Sequence, residues 1–149
     1  MRQDSRLSRM LHVLLHMEEA QEPLTSEAIA RMFNMNPVVV RRTLGDLRRE
    51  GYVASARGHG GGWSLARPLS EISLLDVYRA LGAPELFALG LANDTPACLV
   101  EQAVNATLRD SLRQAEDALL ARLGAVKLSE IAAGFKTRAA QHEHVGHPA

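Results

Sequence analysis

One cysteine, Cys98, stands among 149 residues. A lone cysteine excludes an internal disulfide, which needs two. It also excludes a thiolate-held iron–sulfur cluster built by one chain, because such a cluster takes about four protein ligands, mostly sulfur. A cluster shared between two chains would still need other donors, such as Asp94 or a histidine. No apolar run approaches the roughly 20 residues that cross a bilayer, so no membrane partner is expected. The apolar stretch near the start, Leu11 to Met17, is short, holds His12 and His16, and runs into Glu18-Glu19. It does not read as a signal peptide, and a cytoplasmic location is expected. No nucleophile–base pair and no metal-ligand spacing stands out. The glycines from Gly58 to Gly62 lack the following Lys-Ser/Thr of a phosphate loop. Neither an enzyme nor a bound cofactor is expected.

Net charge is also missing: 17 basic residues balance 17 acidic ones. Taken alone, neutrality argues against nucleic acid, but the charge is unevenly placed. Residues 1–67 hold ten Arg and seven acids, a net of +3, and residues 68–149 hold seven basic residues and ten acids, a net of −3. From Pro37 to Arg67 six Arg face only Asp46 and Glu50, a net of +4. Arginine suits bidentate contacts to guanine and phosphate, and clustered basic charge is the footprint of a nucleic-acid surface.

The cluster lies on a recognisable pattern. Thr25 can cap a short helix in which Ile29, Met32 and Phe33 share an apolar face, with Glu27 in the first turn, where the helix dipole favours a carboxylate. After Asn34-Met35-Asn36, Asn36 can cap a second helix whose first position is Pro37, where a missing N–H costs nothing. Gly51 ends it as a residue of positive φ would. Val40, Leu44 and Leu47 recur at i, i+4 and i+7 and face the core. The opposite face carries Val38, Arg42, Gly45 and Arg49, flanked by Arg41 and Arg48. A short antiparallel pair follows, with Val53, Ser55 and Arg57 alternating before the glycine-rich tip, and Trp63 and Leu65 after it.

Two short helices, a tight turn and a wing predict a winged helix-turn-helix, whose second helix enters the major groove of DNA. The expected fold is mainly α with a small β-wing, plus a long dimerisation helix. Arg42 and Arg49 are the candidates for reading bases, with Val38 for a thymine methyl. Asn36 and Thr43 are candidates for phosphate hydrogen bonds, and Arg41, Arg48 and Arg57 for neutralising phosphates. Arg57 and His59, at or near the wing tip, suit a minor groove or phosphate. The plainer alternatives are a solvated basic helix face and an ordinary hairpin. A winged helix that binds protein instead of DNA is the second functional class.

Beyond the wing, Ser73 and Asp76 form a capping-box pattern for a helix ending near Leu81-Gly82. Residues 84–97 read as a connector with a short helical piece from Pro84 to Gly90. A long helix is expected over about 97–123, with Val100, Val104, Leu108, Leu112, Ala115, Leu119 and Leu123 at spacings of three and four. A single ~40 Å helix tends to leave apolar surface for a second chain, so Val100, Val104, Leu108, Leu112 and Leu119 are expected at a homodimer interface. A last short helix, Lys127 to Phe135, is expected to pack back on the domain. The tail from 136 to 149 has no apolar periodicity and reads as disordered. Its His142, His144 and His147 could also hold a metal. An opening helix over 5–19 places Leu7, Met10, Leu11, Leu14 and Met17 on one face.

The segments Asn36-Pro37-Val38-Val39-Val40-Arg41-Arg42, Arg57-Gly58-His59-Gly60-Gly61-Gly62-Trp63-Ser64-Leu65 and Ile72-Ser73-Leu74-Leu75-Asp76-Val77-Tyr78-Arg79-Ala80-Leu81 together resemble the Rrf2 family of bacterial transcription regulators. The resemblance covers about residues 5–135 and is nearest the YwnA-like members, which lack the family's cysteine cluster. It implies a homodimer on a palindromic double-stranded DNA operator, usually as a repressor. It divides residues 1–135 into a DNA-binding part (1–67), a connector (68–96) and dimerisation helices (97–135). The iron–sulfur members sense iron, nitric oxide or redox state through three cysteines after the wing, and this chain departs from them there. Cys98 stands in a loop leading into a helix, where a thiol can be reactive. It is a possible redox sensor, the bland alternative being a small buried hydrophobe. A small ligand bound in a cleft near residues 82–98 is the other possible signal.

Overall fold

A computed structural model describes residues 3–145. Helix α1 (Arg6–Glu19) buries Met10, Val13, Leu14 and Met17. Helix α2 (Ser26–Phe33) starts where Thr25 Oγ1 accepts from the Ala28 backbone N–H at 3.1 Å. It stops at Asn34, whose left-handed φ of 50° turns the chain. Helix α3 (Pro37–Arg49) starts where Asn36 Oδ1 accepts from the Val38 N–H at 2.8 Å. Gly51, at φ 82°, takes the chain out of it in a conformation that costs glycine little. The buried side of α3 is Val40, Thr43, Leu44 and Leu47.

Strands β1 (Val53–Ala56) and β2 (Gly62–Leu65) form an antiparallel wing with Val53 opposite Leu65 and Ser55 opposite Trp63. The segment before α2 extends this sheet. Leu24 and Trp63 exchange backbone hydrogen bonds at 2.9 and 2.8 Å. Gly62 makes that approach possible, because a Cβ there would lie 2.7 Å from the Leu24 carbonyl oxygen. Helix α4 (Leu74–Ala80) opens with the expected capping box. Ser73 Oγ accepts from the Asp76 N–H at 3.0 Å, and Asp76 Oδ2 accepts from the Ser73 N–H at 2.8 Å. Helices α5 (Leu99–Ala125) and α6 (Leu128–Val145) complete the chain. Their junction grips the start of α4: the Leu74 N–H donates to the Val126 carbonyl and the Leu128 N–H to the Ile72 carbonyl. Leu128 is fully buried and joins the core that α1, α3 and α4 share.

Three expectations change. No helix forms between Pro84 and Gly90. Gly82 and Ala83 both have positive φ, the Tyr78 hydroxyl donates to the Pro84 carbonyl, and Phe87 and Leu89 stay exposed. The long helix runs two residues later at each end than expected. The last helix does not stop at Phe135 but continues to Val145, so residues 136–145 are helical rather than an irregular tail. His142 is exposed on it, and His147 lies outside the described residues. The mainly helical chain with a two-stranded wing is as expected. No described helix is long and apolar enough to cross a membrane.

Candidate nucleic-acid interface

The capped ends of α2 and α3 fix which side of α3 faces out. With Val40, Leu44 and Leu47 fully buried, Val38, Arg41, Arg42, Arg48 and Arg49 are exposed. Val38 is 59% exposed, a large aliphatic side chain left in water beside arginines. Among the described residues, Arg42 and Arg57 make no ion pair and no side-chain hydrogen bond, so both guanidiniums are unengaged. The other arginines of α3 are held. Arg41 pairs with Glu27 of α2 at 3.0 Å, an exposed bridge worth about 0–1 kcal/mol and readily exchanged for phosphate. Arg49 pairs with Asp46, one turn back on α3. Arg48 donates to Ser55 Oγ at 3.0 Å and lies over the Trp63 ring at 5.9 Å from its centroid, so it braces α3 against the wing.

Thr43 does not belong with the exposed candidates. It is buried, and its hydroxyl donates to the Val39 carbonyl at 2.8 Å. Its place on α3 falls between the two faces, and the core takes it. Asn36 is exposed with Oδ1 occupied as the cap, which leaves its amide NH₂ to donate outward. Arg57 and His59 are exposed at the wing tip. One exposed cation escaped the sequence reading. Arg31, on the outer side of α2, shares a shallow cleft with Asn34, Met35 and Pro37 at the turn between the helices. Its position between Ile29 and Met32 in the apolar pattern was the available signal.

Cys98 is exposed and is the N-cap residue of α5. The backbone N–H groups of Glu101 and Val100 hold its thiol below the ordinary value, against a small opposing effect of burial. The bland reading, a buried cysteine, does not hold. The preceding loop lies along the first turns of α5. Asn105 Nδ2 donates to the Asn93 carbonyl at 2.7 Å, Gln102 Nε2 to the Pro96 carbonyl at 3.0 Å and Arg109 to the Asp94 carbonyl at 3.2 Å.

A short capped helix, a turn, a second capped helix with a cationic outer face and a two-stranded wing together define a winged helix-turn-helix regulator. The family model for Rrf2, described as an iron-dependent transcriptional regulator, matches residues 3–134, and the chain belongs to that family. It is 34% identical to YwnA of Bacillus subtilis (strain 168), named as an HTH-type transcriptional regulator, over 129 residues, which is 86% of this chain and 95% of that one. It resembles the crystal structure of Staphylococcus aureus CymR with a TM-score of 0.63 at 25% identity, covering 87% of this chain and 96% of that one. A solved structure from Lactobacillus plantarum has the same fold, with a TM-score of 0.75 at 21% identity over 96% of this chain and 99% of that one. The family and these named relatives are transcriptional regulators, not enzymes.

The family description names iron, and the donors of this chain do not fit a thiolate-held cluster. Cys98 is the sole cysteine. Among the described residues no three His, Cys, Asp or Glu side chains are gathered to hold a metal.

Proposed function

We propose that the chain is a homodimeric repressor that binds a palindromic operator with one α3 in each of two major-groove half-sites. The observation that carries the reading is the outer face of α3: Val38 and Arg42, unengaged and exposed, beside Arg49, with the free Arg57 on the adjoining wing. Arg42 and Arg49 read bases, Val38 meets a thymine methyl, and Asn36, Arg31, Arg41, Arg48, Arg57 and His59 meet phosphate or the minor groove. Arg49 must leave Asp46 to do so, an exchange of one weak surface pair for a charge-assisted bond.

The dimer reading is supported by α5. In its 27 residues only Asn105 is buried. Val100, Val104, Leu108 and Leu119 are exposed along it, and Leu112 is half-buried. A solvated helix roughly 40 Å long with an apolar stripe of this length is stabilised by a partner that removes the stripe from water. Residues 1–67 then bind DNA, 68–96 connect, and the helices after residue 97 hold the dimer. Cys98, exposed at the start of α5, is the residue through which an oxidant would reach the spacing of the two recognition helices. Selection of bound DNA from a random pool, with and without thiol oxidant, tests the whole reading. Two inverted half-sites about one helical turn or a multiple apart are expected. Recovery of unrelated sequences with no shared site would overturn it.

A further inference from the structure

We propose that His12 and His16 form a chelating pair for a divalent transition-metal cation of the zinc class on the outer face of α1, with Glu19 as a third donor that joins only on leaving Lys136. Positions 12, 16 and 19 are i, i+4 and i+7 and share one helix face. Two histidines one turn apart are a recurrent chelating pair, because both imidazoles reach the same point in space. Here they already do so: the two Nε2 atoms are 3.2 Å apart. Zinc–nitrogen bonds of about 2.0–2.1 Å at a tetrahedral angle require a nitrogen–nitrogen separation of roughly 3.3 Å. The pair therefore stands at ligand spacing.

The rings are held in place. Phe33, the last residue of α2, meets both edge-on, with centroids 4.6 Å from His12 and 5.4 Å from His16. This contact restricts ring rotation and makes the pair preorganised. All three donors border a cleft of about 280 Å³ between α1 and α6, closed on the far side by Ile131, Ala132 and Phe135. Both histidines are exposed, so water can enter and complete the coordination. Imidazole and carboxylate donors suit zinc, nickel or copper.

The third donor is drawn aside. The Glu19 carboxylate lies 3.5 Å from Lys136 Nζ of α6, so two donors converge and the third waits on an ammonium. This pair is exposed and weak, and a dication outcompetes it. Metal uptake then exchanges an α1–α6 contact for an α1 chelate that abuts Phe33, next to the left-handed Asn34 that opens the turn into α3.

The test is zinc affinity of the full chain, measured by competition with a chromophoric chelator, with cobalt(II) absorption as a second readout. The parent should bind one cation at this site. His12→Gln and His16→Gln should each weaken it by at least about tenfold, and Glu19→Gln by less. Lys136→Ala should tighten it, because Glu19 is released. The chain has six histidines, so a control carries His59, His142, His144 and His147 all replaced by Gln, together with Cys98→Ser. This control should bind as the parent does. Circular dichroism of the exposed-site variants should match the parent. Absence of binding in the parent, undiminished binding in both single histidine variants, or loss of binding in the control would each overturn the site. Glu19→Gln indistinguishable from the parent would remove Glu19 from it.

Discussion

The Trp63 indole N–H donates to Ser26 Oγ at 2.9 Å, a buried bond between the second wing strand and the first turn of α2. With the Leu24–Trp63 backbone pair, it fixes the wing to the helix-turn-helix through a residue 37 positions away. The wing's angle to α3 is therefore set by α2 as well as by β1. Trp63→Phe keeps most of the apolar body and leaves a buried hydroxyl unpaired, which costs about 1–3 kcal/mol. Ser26→Ala, Trp63→Phe and the double variant, followed by urea unfolding, should give a coupling of about 1 kcal/mol with little change in the slope against denaturant. Strict additivity would mean that the bond contributes nothing.

Arg42 and Arg57 are both unengaged, but they should fail differently. Arg42→Ala should weaken binding at the specific operator by about 1–3 kcal/mol and relax preference at one base pair. Arg57→Ala should weaken binding to all sequences similarly and reduce the salt slope by about one. Fluorescence anisotropy on matched and mismatched duplexes, titrated with salt, separates the two. Parent-like affinity of Arg42→Ala on the operator would mean that another part of α3 reads the bases.

The α5 stripe gives the next test. Leu108 is 43% exposed in the single chain, so Leu108→Glu should leave the protomer folded. At a dimer seam the same change buries a charge without a partner and should give monomers with much weaker operator binding. Sedimentation reads the oligomeric state, and circular dichroism the fold. A dimer as stable as the parent's would move the interface elsewhere.

Much of this fold was legible from residue types with a local job. Thr25, Asn36, Pro37 and the Ser73–Asp76 pair mark helix starts, because each satisfies or avoids an orphan N–H within three residues of itself. Gly51 marks an end because its positive φ costs glycine little. Spacing alone does not place Thr43, because it lies at the edge of the apolar arc of α3, where burial is decided by how α3 seats on the core. The engaged states of Arg41, Arg48 and Arg49 were hidden too. Their partners Glu27 and Ser55 come from other elements, and Asp46 competes from the same helix. The last helix extends past the expected end because Lys136 to Val145, although it has no apolar stripe, still forms helix. Its continuation rests on helix-forming residues such as Ala139, Ala140 and Gln141 rather than on packing.

Ionisation of the Cys98 thiol carries the last prediction. The N–H groups at the start of α5 favour the thiolate, so its folded-state pKa lies below the ordinary thiol value of about 8.5. Alkylation by iodoacetamide follows the thiolate fraction. The rate should therefore reach half its plateau at a lower pH in the native chain than in the chain unfolded in urea. The sign for stability follows from the same difference. A depressed folded pKa contributes stability that is fully present above the unfolded value and is lost as pH falls through the folded value. Cys98→Ser should abolish that pH dependence and leave operator affinity unchanged under reducing conditions. With peroxide, the parent thiolate is oxidised to the sulfenic acid while peroxide is reduced to water. The parent should then lose operator affinity, and Cys98→Ser should not. Equal responses of the two proteins, or no response in either, would leave Cys98 without a sensing role.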